Sequence, residues 1–210
     1  MYRLKYFIEE DNKKVIDFMK ANYFAVIVSA DEKYPAATHV PLDIVQTDNT
    51  LFFTGHIMKS SDHHKAFLKN ENVLVIFNGP HSYISASWYP NPVQASTWNY
   101  MAVHAQGKII FGEEEETKKI VEALTNKYEN PDSPAAFSKL PTEYVDRLVK
   151  AIVAFTIEVD TLENVFKLSQ NHEQETRQRI IENLSKHSGD NEKVIACEME
   201  LRLGMPKQTK

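Results

Sequence analysis

Six strand-like segments crowd the first 111 residues, and no regular strand-helix-strand alternation connects them. The most constrained is Tyr23 to Ser29, β-branched and aromatic without alternation, the pattern of a strand covered on both faces. A turn at Asp31 to Pro35, a strand from Ala37 to Val45, a turn at Thr47 to Thr50 and a strand from Leu51 to His56 complete an expected three-stranded antiparallel meander. Ser60 to Leu68 reads as a short helix with Ser61 or Asp62 near its cap. Val73 to Asn78 is a buried strand expected to end at Gly79-Pro80, and Ser82 to Ser87 is another. Trp98 to Phe111 forms one or two strands broken near Gly107. Such a chain must hide many strand edges, so the expected fold is mainly β with helices (α+β), a closed antiparallel barrel with helical additions and not a doubly wound sheet.

Further helices flank these strands. Asp11 to Lys20 opens on a capping residue, Glu113 to Tyr128 carries four glutamates in its first turn, and Pro141-Thr142 starts a third. Val153, Phe155, Ile157 and Val159 alternate as a half-buried strand, and two more helices follow around Ile180 and Val194. We expect residues 1–170 to form the barrel domain and 171–210 a helical extension of it.

Of the 210 residues 42% are hydrophobic and 25% charged, ordinary for a folded chain. Cys197 is the one cysteine, which excludes a disulfide framework and a thiolate zinc site. No apolar stretch approaches a bilayer span, and Met1-Tyr2-Arg3 leads into acids and not an apolar signal core, so a soluble cytoplasmic chain with no membrane association is expected. With 24 Lys and Arg against 29 Asp and Glu, the net charge of -5 disfavours a broad nucleic-acid footprint. The glycine fingerprints of nicotinamide and nucleoside-triphosphate sites and the esterase elbow are absent. The eight histidines show no metal-ligand spacing, and no metal site is expected.

Four segments concentrate polar chemistry. Thr54 to Asp62 empties a strand into a helix start with a cation and hydroxyls, suited to a phosphate monoester or simply an ordinary polar loop. His81 to Tyr89 and Thr97 to His104 hold both tryptophans, material for a flat wall against a fused heteroaromatic ring, or for a core or dimer interface. Phe166 to Asn171 offers Lys, Ser, Gln and Asn, for an anion or polyol or for capping the next helix.

In chain order, Phe24-Ala25 with Ser29, Pro35 to Leu42, Gly55-His56, Phe77 to Ser85, Ser87-Trp88-Tyr89, Thr97 to Tyr100 with Val103-His104, and Phe166 to Asn171 together resemble the PaiB family of FMN-binding negative transcriptional regulators, nearly end to end. The resemblance implies an FMN-binding split β-barrel, a fold shared with pyridoxamine-phosphate oxidases and flavin reductases, assembled as a homodimer. It implies that Lys59, Ser60 and Ser61 grip the FMN phosphate, that Thr38, His39, Thr54 and His56 line the ring and ribityl region, and that Trp98, Asn99, Lys167, Ser169 and Gln170 contribute further cofactor contacts. The chain departs from the family at Lys59, where an arginine is usual, and a lysine is a point charge without the bidentate fork.

Three functions follow as expectations. The first is a PaiB-like negative transcriptional regulator that senses a small molecule or redox state through FMN. The second is an FMN-dependent oxidoreductase of the pyridoxamine-phosphate oxidase or flavin reductase type, and the third a partner-binding barrel without cofactor. Residues 172–210 hold seven basic and seven acidic side chains, so direct DNA binding is disfavoured. No residue declares itself catalytic, and neither substrate nor sensed ligand is named by the sequence.

Overall fold

The computed structural model describes residues 1, 4–48 and 50–204; Asn49 of the expected turn therefore lies outside the described residues. In chain order the elements are α1 (Asn12–Ala21), β1 (Phe24–Ser29), β2 (Ala36–Pro41), β3 (Asp43–Thr47), β4 (Thr50–Met58), α2 (Asp62–Lys69) and β5 (Asn72–Ile84). They continue as β6 (Thr97–Phe111), α3 (Glu114–Tyr128), α4 (Thr142–Val149), β7 (Ile152–Lys167), α5 (Gln174–Leu184) and α6 (Asp190–Leu201). The strands form one sheet in the order β2-β1-β5-β6-β7-β4-β3.

The chain divides into two compact units, one of residues 23–77 and 105–162, the other of residues 1–22, 78–104 and 163 onward. In the first, β1 pairs antiparallel with both β2 and β5, and β4 pairs antiparallel with both β3 and β7. The expected strand from Ala37 to Val45 is two strands, of which β2 pairs with β1 and β3 with β4, so both antiparallel pairings of the meander form but its middle strand is split. Leu42, almost fully buried and donating its N–H to the Tyr23 carbonyl at 2.9 Å, sends β2 and β3 to opposite ends of the strand order. One residue thus joins the two edges of the sheet, which curls into a barrel and leaves few strand edges bare.

The barrel core follows from strand alternation. Ala25, Ile27, Val40, Phe53, Ile57, Val75, Phe77, Phe155 and Ile157 are buried, and the Phe53 and Phe77 rings meet edge-on at 5.2 Å. Gly55 makes room for Phe155, whose ring tip lies 2.9 Å from where a Cβ would stand. Helix α3 lies against β4, and its buried Thr117 accepts the Ala154 N–H at 3.0 Å. Gly107 does not break β6, which runs unbroken to Phe111.

In the second unit Asp11 caps α1 by accepting the Lys13 N–H, and α1 buries Val15, Phe18 and Met19, with the Phe18 ring 5.1 Å from that of Phe166. The expected strand end at Gly79-Pro80 is absent; β5 continues through it as one strand. Gly79 is needed there for space, since a Cβ would stand 2.4 Å from the Phe18 ring. Helices α5 and α6 pack through Ile180, Ile181, Leu184, Ile195 and Met199. Near-buried Arg202 binds Glu9 at 2.8 Å and Glu198, and its carbonyl accepts from Arg177. No helix among the described residues is long and apolar enough to cross a membrane.

Candidate functional site

The twelve residues singled out by the sequence fall into two groups, one in each unit. Thr38, His39, Thr54, His56, Lys59, Ser60 and Ser61 belong to the barrel unit; Trp98, Asn99, Lys167, Ser169 and Gln170 belong to the other.

In the barrel unit, successive residues of a strand face opposite ways, so Thr38 sits on the face of Ile27, its pairing partner, while His39 sits on the outer face, its ring stacked on Phe24 at 6.1 Å. Thr54 and His56 share one face of β4. Thr54 lines a recess of about 50 Å³ with Ile120, Ala123, Leu124 and Lys127 of α3, room for water and not for a flavin ring. His56 stands opposite Ala154, and its Nδ1 is buried without a hydrogen-bond partner. Such an atom costs free energy unless a ligand or water satisfies it.

The turn from β4 to α2 is shaped by its own side chains. Ser60 adopts a left-handed backbone (φ 61°) and gives its N–H to His64 Nδ1 at 3.0 Å. Ser61 caps α2 by accepting the His64 N–H at 3.3 Å and donates its hydroxyl to the Met58 carbonyl at 2.9 Å. Lys59, half-buried as a residue, donates its N–H to the Ala151 carbonyl at 2.9 Å, while its ammonium forms no ion pair among the described residues. An unpaired cation beside the first turn of a helix is a group that an anion would satisfy.

The other group is largely bonded to itself. Asn99, 0% exposed, accepts from the Ser169 hydroxyl at 3.1 Å and donates to Met199 Sδ at 3.4 Å. Lys167 donates to Thr97 Oγ1 and, at 2.7 Å, to the Trp98 carbonyl; burial holds its ammonium below the usual lysine range. Gln170 closes back on Leu168 N–H and the Phe166 carbonyl. These contacts fix the ends of β6 and β7 and leave the Trp98 indole 52% exposed, flanked by His81 at 6.0 Å and Tyr83 at 5.9 Å. Beside it Met1, Asn78, His81, Trp98, Tyr100 and His104 are among the residues that line a groove of about 700 Å³. His81 to Tyr89 and Thr97 to His104 are the two segments expected to supply a flat wall, and strand alternation selects which of their residues share this groove.

Burial lowers the pKa of His56 from its ordinary 6.5, and that of His104 in the same direction. On acidification the unfolded chain takes up these protons first, so their contribution to stability is complete above about pH 6.5 and is lost as pH falls toward the folded-state value. We expect the urea midpoint to drop between about pH 7.5 and pH 5.5, and His56→Gln to shrink that drop. An equal drop in the variant would remove His56 from the account.

Residues 1–161 match the family described as "Putative FMN-binding domain". A Bacillus subtilis protein, protease synthase and sporulation protein PAI 2, is 35% identical over 204 residues, covering 97% of this chain and 98% of its own. An uncharacterized protein of Emericella nidulans is 31% identical over 198 residues, covering 76% of this chain and 79% of its own. Among solved structures, the flavocytochrome Anf3 from Azotobacter vinelandii superposes with a TM-score of 0.58 at 12% identity, over 79% of this chain and 72% of that one. A FAD and heme binding protein from Mycobacterium smegmatis gives 0.55 at 13% identity, over 76% and 72%. The split-barrel fold expected from the sequence is the fold of this chain, and FMN, the cofactor expected, is the one its family is described by.

Proposed function

Because this chain belongs to the FMN-binding domain family, we propose that it is a PaiB-like flavoprotein that lowers transcription through its flavin, without itself gripping DNA. The observation that carries the cofactor part is Lys59, an unpaired ammonium at a left-handed turn leading into α2. Lys59 would hold the FMN phosphate, with the Ser60 and Ser61 turn around it and His39 and His56 toward the ribityl chain. The orphaned His56 Nδ1 fits a polyol-bearing ligand, whose hydroxyls donate and accept. Thr38 and Thr54 would then support the cradle from the barrel side. Asn99, Lys167, Ser169 and Gln170, bonded to one another's strands, would position Trp98 and not touch the cofactor. Bound FMN supplies reversible one- and two-electron redox chemistry.

The regulatory part rests on charge. Of the two arginines of α5, Arg177 is 3% exposed and Arg179 is paired with Glu175, while Lys193 of α6 faces Asp190. That leaves α5 and α6, as far as their residues are described, without a basic face to neutralise phosphates. Fluorescence anisotropy with promoter-length DNA near physiological salt should give at best micromolar, salt-sensitive binding; nanomolar sequence-selective binding would overturn the indirect reading.

The visible spectrum of the purified protein, with the mass of whatever it releases, tests the cofactor: flavin bands and FMN are expected, and a colourless protein that does not take up FMN contradicts it. The homodimer is part of the same proposal, supported by Phe24 and Met58 at 63% and 65% exposure. Light scattering should return twice 24.1 kDa. A second reading, an FMN-dependent oxidoreductase, is favoured by the groove at Trp98, which has the size of a small-molecule site.

A further inference from the structure

We propose that the groove beside Trp98 binds a second ligand, distinct from the flavin: a planar aromatic molecule carrying a hydrogen-bond acceptor. The groove holds about 700 Å³, within the usual range for small-molecule sites. Trp98, Tyr100, Ala102 and His104 alternate along one face of β6, so one strand presents an indole, a phenol, a gap and an imidazole in a row.

Two features separate this surface from a stray exposed tryptophan. The indole stands on a rigid base, because Lys167 anchors the Trp98 carbonyl and the neighbouring Asn99 is fully buried in its bond to Ser169. A large apolar ring held in place and half exposed is prepared for stacking, with little ordering left to be done on binding. The second feature is the set of polar groups in the lining. Asn78, His81 and His104 line the groove together with Met1. Burial, the largest influence on His104, lowers its pKa, the Met1 ammonium adds to that and Glu163 opposes it, so the His104 imidazole offers an N–H to a ligand near pH 7. Donors beside a flat apolar wall select a hydrogen-bond acceptor carried on a flat ring.

This site goes beyond the FMN reading and does not depend on it. The test uses full-length protein carrying Trp88→Phe, which leaves Trp98 as the one indole, titrated with naphthalene-2-carboxamide in FMN-free and FMN-supplemented forms. Saturable quenching of Trp98 below about 1 mM is expected. Cyclohexanecarboxamide, with the same acceptor but no plane, should bind about 10-fold more weakly or worse, and His104→Gln should weaken the naphthalene probe by about 10-fold. Calorimetry on the unsubstituted chain should return the same affinity and guards against a folding defect in either variant. Absence of saturable binding, equal binding of the two carboxamides, or unchanged binding in His104→Gln would overturn the proposal. Mutually exclusive binding of the probe and FMN would overturn it too, by making the groove the flavin's own seat.

Discussion

Replacing Lys59 with alanine should weaken FMN binding by about 10- to 150-fold while leaving the fold intact. A charge-assisted hydrogen bond to a phosphate contributes ~1.5 to 3 kcal/mol, and each 1.4 kcal/mol is about tenfold in affinity. The Lys59 ammonium makes no ion pair among the described residues, so its removal strands no partner. The main-chain bond from Lys59 to Ala151, which ties the turn to the residue preceding β7, is kept in the variant. Riboflavin, which lacks the phosphate, provides the internal control: its affinity should be the same for both proteins. Lys59→Arg should retain or tighten FMN binding, because the guanidinium fork can meet two phosphate oxygens at once. Fluorescence titration of the cofactor-free protein reads all three. An unchanged FMN curve in Lys59→Ala would mean that the phosphate is held elsewhere, and equal losses of FMN and riboflavin would mean that the turn itself has collapsed.

What could be read from the sequence and what could not divides along sequence distance. Asp11 was legible as a helix cap, and the α2 cap was narrowed to Ser61 or Asp62, because capping is settled within three residues of chain. The turn at Lys59 to Ser61 was legible for the same reason, as a local run of a cation and hydroxyls between a strand and a helix. Leu42 was not: Pro41 and Asp43 beside it hint at a break, but its role depends on where β2 and β3 find partners. Gly79-Pro80 misled in the other direction, since the pair usually marks a turn, and here Gly79 answers instead to the Phe18 ring from α1. At the candidate site, Asn99 and Ser169 both looked available for a cofactor. Their bond to each other spans 70 residues and only the fold discloses it. The unpartnered Nδ1 of His56 is likewise a property of burial, visible once α3 and β7 are in place.

Gly107→Ala should be the most damaging single methyl in the barrel, and the reason is the same one that made Gly107 look like a strand break. A glycine inside a strand pattern marks either an interruption or a close approach of another backbone, and the sequence does not distinguish them. The structure has the second: a Cβ at 107 would stand 2.1 Å from the Glu158 carbonyl oxygen, 3.0 Å from its carbon and 3.1 Å from Val159 Cα. All three are main-chain atoms of β7, so no rotamer change relieves the overlap and one strand must shift against the other. Overpacking a well-filled site costs typically 1 to 3 kcal/mol, and with the backbone as the obstacle about 3 kcal/mol or more is expected. The gain from replacing glycine with a residue of lower unfolded-state entropy, about 0.5 to 1 kcal/mol, is too small to offset it. For a chain of this size that corresponds to a Tm lower by roughly 6 to 12 °C. Gly112→Ala is the matched control, because the atoms nearest its Cβ, at 2.3 Å and 2.8 Å, belong to the end of the flexible Glu116 side chain, which can swing away. Calorimetry of the two variants should therefore separate them widely. Similar small shifts in both would show that β6 and β7 can part at Gly107 at little cost, and the glycine would then be serving the chain in some way other than by making room.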